Sequence, residues 1–148
     1  MTLITKHFSQ LTLDELYTLL KIRAEVFVVE QTCPYNDLDD KDKNAYHLFL
    51  THQDQGQILA YLRVLDQGVS FPDAASIGRV LTTQRGKGYG KQLMKKGMEL
   101  TQSVFHADKI RIEAQVYAQA FYEQLGFMAC SEVFLEDGIA HVEMFYDH

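Results

Sequence analysis

An α/β domain is what this sequence predicts, with a mixed, mostly antiparallel central sheet and helices on both faces. Three observations carry the prediction. Apolar patterning gives the order strand, helix, three strands, helix, strand, helix, two strands. The fourth strand reaches the fifth only through a helix, a β-α-β crossover that makes those two parallel, whereas the other strands look antiparallel. A length of 148 residues with 47% hydrophobic content suits one domain, residues 1–148, with a real core.

Leu3 to Phe8 reads as the first strand. Thr12 opens the first helix, with Glu15 at the reciprocal capping position. Leu13, Leu16, Leu20, Ala24 and Phe27 recur at spacings of three and four and mark its buried stripe. The helix is expected to reach Val28 to Gln31, with room for a break, before Pro34 closes it. An acidic loop follows, holding Asp37, Asp39, Asp40 and Asp42. Tyr46 to His52 and Ile58 to Leu65 then form a hairpin around the turn Asp54-Gln55-Gly56.

After a loop from Gln67 to Asp73, Ala75 to Leu81 is the next strand. The helix from Gly88 to about Phe105 buries Leu93, Met94, Gly97, Met98, Thr101 and Val104. Lys109 to Ala114 alternates as a strand, and Tyr117 to Leu125 is a short helix with Gly126 at its C-terminal glycine position. Phe127 to Leu135 and Ile139 to Tyr146 close the chain as a hairpin around Asp137-Gly138, the strongest short hairpin signal.

Composition excludes several classes. A net charge of −6 argues against nucleic-acid binding. No apolar run is long enough to span a membrane, and Met1 to Gln10 does not read as a signal peptide. Two cysteines without a secretory signal suggest reduced thiols in the cytoplasm. Cys33 lies in a loop and Cys130 in a strand, and both read as packing residues. The acidic loop is no EF-hand: counted from Asp40, position six is Ala45 and position twelve is Thr51. No zinc motif appears, so no metal is expected.

The chemistry concentrates between Ile77 and Phe105. A strand feeds Arg85-Gly86-Lys87-Gly88-Tyr89-Gly90-Lys91, with three glycines in five residues, and the loop opens directly into a helix. Helix-start amides without an internal partner, together with the positive end of the helix dipole, make an anion site. Glycines let a backbone approach that anion without a Cβ in the way. Six of the chain's 14 cations fall between Arg79 and Lys96, a stretch with no acid. A Walker A loop is excluded, because Gln92 follows Lys91 where a hydroxyl is needed for magnesium. A dinucleotide fingerprint is excluded by the G-x-G-x-G spacing.

Arg85, Gly88 and Gly90 do meet [QR]-x-x-G-x-[GA], which resembles the pyrophosphate loop of the GNAT superfamily of acetyl-CoA-dependent N-acetyltransferases. A second block supports the match. Ala118, Tyr122, Gly126 and Phe127 fit the family's N-x-x-A-x-x-x-Y-x-x-x-G-F segment, with Gln115 where many members have Asn. Arg23 to Gln31, Cys33-Pro34-Tyr35, Asp39 and Glu136 to Met144 resemble the ElaA-like subgroup. The resemblance covers nearly the whole chain and implies the GNAT fold.

It also implies roles. Acetyl-CoA would be the co-substrate, its pyrophosphate held by Arg85, Gly86, Lys87, Gly88, Tyr89, Gly90 and Lys91. The pantetheine arm would lie along Val80, Leu81 and Thr82, where the strand splays from its neighbour, and would meet Gln115. Gly78 is the expected mark of that distortion. The Val80 N–H would hold the oxyanion, a contact typically worth about 2.7–4 kcal/mol, and the Tyr122 hydroxyl would protonate the leaving thiolate. An alkylammonium has a pKa of about 10.4, so the acceptor needs a base. His141, Glu30 and Glu113 are the candidates. The acidic loop reads either as a solvated segment or as an attractive field for a cationic amine. The expected activity is acetyl transfer to a primary amine in a ternary complex. Transfer of a longer acyl group, or a CoA-binding module without catalysis, are the alternatives. The amine acceptor is not specified by the sequence, no nucleic-acid or membrane partner is expected, and a homodimer is left open.

Overall fold

The computed structural model describes residues 1–52 and 56–148, so the turn expected at Asp54-Gln55-Gly56 lies largely outside the described residues. Its elements are β1 (Thr2–His7), α1 (Leu13–Arg23), β2 (Tyr46–Thr51), β3 (Ile58–Leu65), β4 (Ser76–Thr82), α2 (Tyr89–Ser103), β5 (Lys109–Gln115), α3 (Gln119–Gln124), β6 (Met128–Ala129), β7 (Phe134–Glu136) and β8 (Ile139–Asp147). The predicted α/β order holds. The central sheet is in two halves, β1-β2-β3-β4 and β5-β8-β6 with β7 also on β8. Every named strand pair is antiparallel, and among the described residues a single parallel bridge, Ala75 to Ile110, joins the halves.

Helices cover both faces. α2 makes the crossover and packs its apolar stripe on the first half. Gly97 lets it come close: a Cβ there would stand 3.3 Å from both Ile77 Cδ1 and Leu62 Cδ1. The core on this side runs through Leu48, Leu62, Val64, Ile77, Leu93 and Met94 to Ile110, Ile112, Val142 and Met144 of the second half. α1 seals the other face, where Leu19 joins Phe49, Ile58, Tyr61 and Leu81.

Helix α1 starts as expected: the Glu15 N–H donates to Thr12 Oγ1 at 3.1 Å and the Thr12 N–H to Glu15 Oε1 at 2.9 Å. Its buried face follows the predicted stripe in part: Leu16, Leu20 and Phe27 pack against the cluster of Leu19 and Tyr61. Leu13 is 86% exposed and Ala24 is exposed, while Leu19 and Arg23 are fully buried. The most deeply buried positions, Leu19 and Arg23, include an arginine, which an apolar count passes over. The expected break is a wider helical turn over Ala24–Glu30, with π-type bonding.

Two further expectations fail. Val104 is 44% exposed, since α2 ends at Ser103. The single strand predicted over Phe127 to Leu135 is interrupted. Ala129 pairs with Met144 and Phe134 with His141, so β8 advances three residues while its partner advances five. The Ser131 hydroxyl accepts from the Glu143 N–H at 2.9 Å and takes a ladder bond's place. Cys130 therefore sits in an exposed interruption, not in a strand core. Gly126, at φ +100, does end α3, and the Phe127 N–H returns to Tyr122 O at 3.1 Å.

Candidate active site

Among the described residues, the backbones of the two half-sheets are hydrogen-bonded to each other only where β4 and β5 begin. The Ala75 N–H donates to Lys109 O at 3.0 Å and the Arg111 N–H to Ala75 O at 2.9 Å. Beyond that bridge the strands part and enclose a cleft of about 440 Å³. A bulge accompanies the parting. Tyr61 faces Leu81 and Arg63 faces Gly78, so Arg79 and Val80 together oppose Leu62. The residue in the left-handed conformation is Arg79, at φ +53, and not Gly78, where the distortion was expected. Gly78 has open space at its Cβ and lines the cleft with Val80.

The glycine loop has the geometry its sequence asked for. Gly86 and Gly88 have φ of +74 and +75, a conformation that needs glycine. The first helix bond runs from the Gln92 N–H to Gly88 O at 3.0 Å, so the amides of Tyr89, Gly90 and Lys91 point out of the helix start without a helical acceptor. Arg85, Lys87 and Lys91 are exposed around them. Gly90 packs tightly: a Cβ would stand 3.1 Å from Thr82 Cγ2 and 3.6 Å from Phe121 Cζ. The end of β4, the loop and α3 are thus held together. The Thr83 N–H donates to Leu59 O at 3.0 Å, so by alternation the Thr82 backbone groups face the free edge. The Leu81 side chain turns the other way, into the core under α1.

Tyr122, Gln115, His141, Glu113 and Val80 all line the cleft, so the fold brings five separated residues together. The Tyr122 ring is wedged edge-on between Phe121 (5.0 Å) and Phe127 (6.0 Å). Among the described residues its hydroxyl has no hydrogen-bond partner, and burial raises its pKa above the usual phenol value. The Gln115 amide donates to Gln31 Oε1 at 3.2 Å and so bridges to the segment after α1. His141 is 8% exposed. Its Nδ1 lies 2.7 Å from Ile139 O, an acceptor only, so Nδ1 carries the proton and Nε2 keeps its lone pair. Nε2 is 3.8 Å from Glu136 Oε2. Although Glu113 is exposed as a residue, desolvation of its carboxyl at the cleft wall, with Glu136 and then Glu143 beside it, pushes that group up to about 7. Glu30 is exposed and is not part of the cleft wall, which removes it from the candidate bases.

The acidic loop is neither a solvated segment nor a free attractive field. Its carboxylates close a buried network with three arginines from three elements. Arg23 reaches Asp37 Oδ2 from Nε at 2.9 Å and Asp42 Oδ1 at 2.7 Å. Arg63 holds Asp39 at 2.6 Å and Asp42 at 2.9 Å, and Arg79 lies 2.7 Å from Asp37. Burial works against the Asp39 carboxylate, but the Arg63 hydrogen bonds outweigh it and hold the group at about 2. Asp42 is lowered in the same way by Arg23 and Arg63. Asp40 alone of the four stays exposed, 3.4 Å from Lys43. Arg79 therefore leaves the cation group counted around the phosphate loop. This network, with Glu136 and Gln31, is what sequence reasoning missed. One signal was present: Arg63 interrupts an eight-residue strand that is otherwise apolar or aromatic, and such a residue needs buried acids.

Comparison with known proteins agrees with this architecture. Residues 10–147 match the model of the acetyltransferase (GNAT) domain. A UPF0039 protein of Schizosaccharomyces pombe is 38% identical over 144 residues, covering 95% of this chain and 93% of the relative. The crystal structure of an acyl-CoA N-acyltransferase from Pseudomonas aeruginosa superposes with a TM-score of 0.89 at 41% identity, covering 98% of this chain and 99% of that one. Escherichia coli ElaA superposes with a TM-score of 0.88 at 35% identity, covering 99% of both chains.

Proposed function

The chain belongs to the GNAT acetyltransferase family, and from that premise we propose that it moves an acetyl group from acetyl-CoA to a primary amine by direct attack in the cleft between the sheets. The observation that carries this reading is the continuity of three features. Free amides at the start of α2 lead to the open edge of β4, and that edge borders a cleft lined by the half-buried Tyr122, whose hydroxyl has no partner among the described residues. A pyrophosphate, an amide-bearing arm and a thioester sulfur have these partners in this order.

The steps balance within the chain's own groups. The incoming ammonium gives a proton to His141 Nε2, which holds its lone pair in the cleft. The Glu136 carboxylate supports the imidazolium that forms. The amine nitrogen bonds to the thioester carbonyl carbon, and the carbonyl oxygen takes negative charge beside the Val80 N–H. The C–S bond then breaks as the carbonyl re-forms, the thiolate takes the Tyr122 proton, and the second proton on the attacking nitrogen passes to the Tyr122 phenolate, which leaves a neutral amide and restores the phenol. Burial raises its pKa, so the phenol is protonated at neutral pH and yields its proton only as negative charge builds on the sulfur. Glu113 supports a second reading of the base, because a carboxyl at about 7 is poised for the same transfer.

Free-thiol release from acetyl-CoA with a panel of primary amines tests the reading, alongside longer acyl-CoAs. Amine-dependent release, fastest with acetyl-CoA, is expected. Tight CoA binding without release from any donor would favour a non-catalytic binding module. Loss of the acidic limb of the pH profile, the fall in rate at low pH that a base imposes, in His141→Gln but not in Glu113→Gln would separate the two bases.

A further inference from the structure

We infer that Arg79 is a positioning residue of the transfer site: its ion pair with Asp37 pins the β4 bulge and so aims the Val80 backbone N–H into the cleft. This rests on the acyl-transfer reading given above. Three observations carry it.

The first is conformational. Arg79 sits at φ +53 inside a strand, where a residue with a Cβ is disfavoured and a glycine would be at ease. Gly78, next in the chain, does not take that conformation. Such a backbone persists where surrounding contacts over-determine it.

The second is the set of contacts that does so. The Arg79 Nε lies 2.7 Å from Asp37 Oδ1, and one terminal nitrogen donates to Asp37 O at 3.0 Å. The guanidinium also lies over the Tyr35 ring, 5.5 Å from its centroid, and the Tyr35 hydroxyl donates to the same Asp37 Oδ1 at 2.7 Å. Asp37 cannot drift, because Arg23 holds its other oxygen at 2.9 Å and its carbonyl at 3.1 Å. The anchor therefore continues into the core through a fully buried arginine.

The third is adjacency. Val80 shares the bulge with Arg79, opposite the same Leu62, and lines the cleft. A rotation of the Arg79 backbone toward an extended conformation would swing the Val80 peptide plane away from the cleft and toward β3. The strand edge would then lose the donor that the forming oxyanion needs. An arginine with no substrate contact would act on the rate through the backbone of its neighbour.

The test uses Arg79→Gly, Arg79→Ala and Asp37→Asn in the full chain, with two independent readouts. Amide hydrogen exchange at Val80 reads the bulge directly, and steady-state kinetics reads its consequence. Expected are exchange at Val80 slower by at least about tenfold, as the free N–H turns back toward the neighbouring strand, an unchanged Kd for CoA, and kcat lower by about ten- to a hundredfold with acetyl-CoA KM unaltered. Added guanidinium should restore part of the rate in Arg79→Gly, because the left-handed backbone stays accessible to glycine. Wild-type exchange at Val80 in all three variants would overturn the proposal, as would a rise in acceptor KM with kcat intact, which would make Arg79 a substrate contact. Should Arg79→Ala not fold, Asp37→Asn, which keeps the shape of the loop, decides on the same readouts. Absence of transfer by the wild-type protein would sink the functional reading, and the exchange measurement would still decide the anchor.

Discussion

Replacing Arg23 by alanine puts the buried ion network to its hardest test. The side chain is 0% exposed and donates to Asp37 Oδ2 at 2.9 Å, Asp42 Oδ1 at 2.7 Å and Asp37 O at 3.1 Å. Asp37 and Asp42 are themselves buried, so the substitution leaves two carboxylates without a shared counter-charge. Arg79 still faces one and Arg63 the other. Breaking a buried pair from one side typically costs about 3–5 kcal/mol. For a chain of this size that lowers Tm by about 6–20 °C. Urea and thermal melts of both proteins read it directly. The loss should also depend on pH in one direction. Asp42 is lowered when folded, so its contribution is present above the unfolded carboxylate value near about 3.9 and fades as pH falls through the lowered one. The gap between wild type and variant should therefore narrow below about pH 4. A loss under about 1 kcal/mol at pH 7, or a gap that widens in acid, would refute the claim that these charges are desolvated and mutually dependent.

Three other outcomes are expected. Tyr122→Phe keeps the ring contacts with Phe121 and Phe127 and removes a hydroxyl without a protein partner among the described residues; kcat should fall by about 10²–10⁴ with Tm nearly unchanged, and a destabilised but fully active variant would show that the hydroxyl serves the core. Gly88→Glu places a side chain and a negative charge at φ +75 beside the free helix-start amides; calorimetry should find CoA affinity down by at least about tenfold, and unaltered affinity would remove the loop from the cofactor site. Glu113 has a raised pKa when folded, so its favourable contribution is full below the unfolded value and is lost as pH rises through about 7. Glu113→Gln should therefore gain thermal stability relative to wild type between pH 5 and pH 8, and a constant difference across that interval would mean the carboxyl is not perturbed.

Local physics was legible in the chain as written. The Thr12–Glu15 cap, the α2 stripe, the Gly126 terminus and the Asp137-Gly138 turn each depend on residues a few positions apart, so spacing alone identified them. The phosphate loop belongs with them in part: Gly86 and Gly88 adopt positive φ because of what they lack, whereas Gly90 is needed for its close packing on Thr82 and Phe121. The gathering of Val80, Gln115, Tyr122 and His141 at one cleft was anticipated only through family resemblance. No local pattern places Ala75 against Ile110, the contact that lets β4 and β5 part. The Arg–Asp network lay further out of reach. Its partners are separated by 14 to 42 residues, and from sequence an aspartate-rich loop looks like solvent-exposed surface. Only tertiary packing decides that Arg23, Arg63 and Arg79 converge beneath that loop. Once water is excluded there, each charge requires the others, and a segment that composition assigns to the surface becomes the buried support of the site's distorted strand.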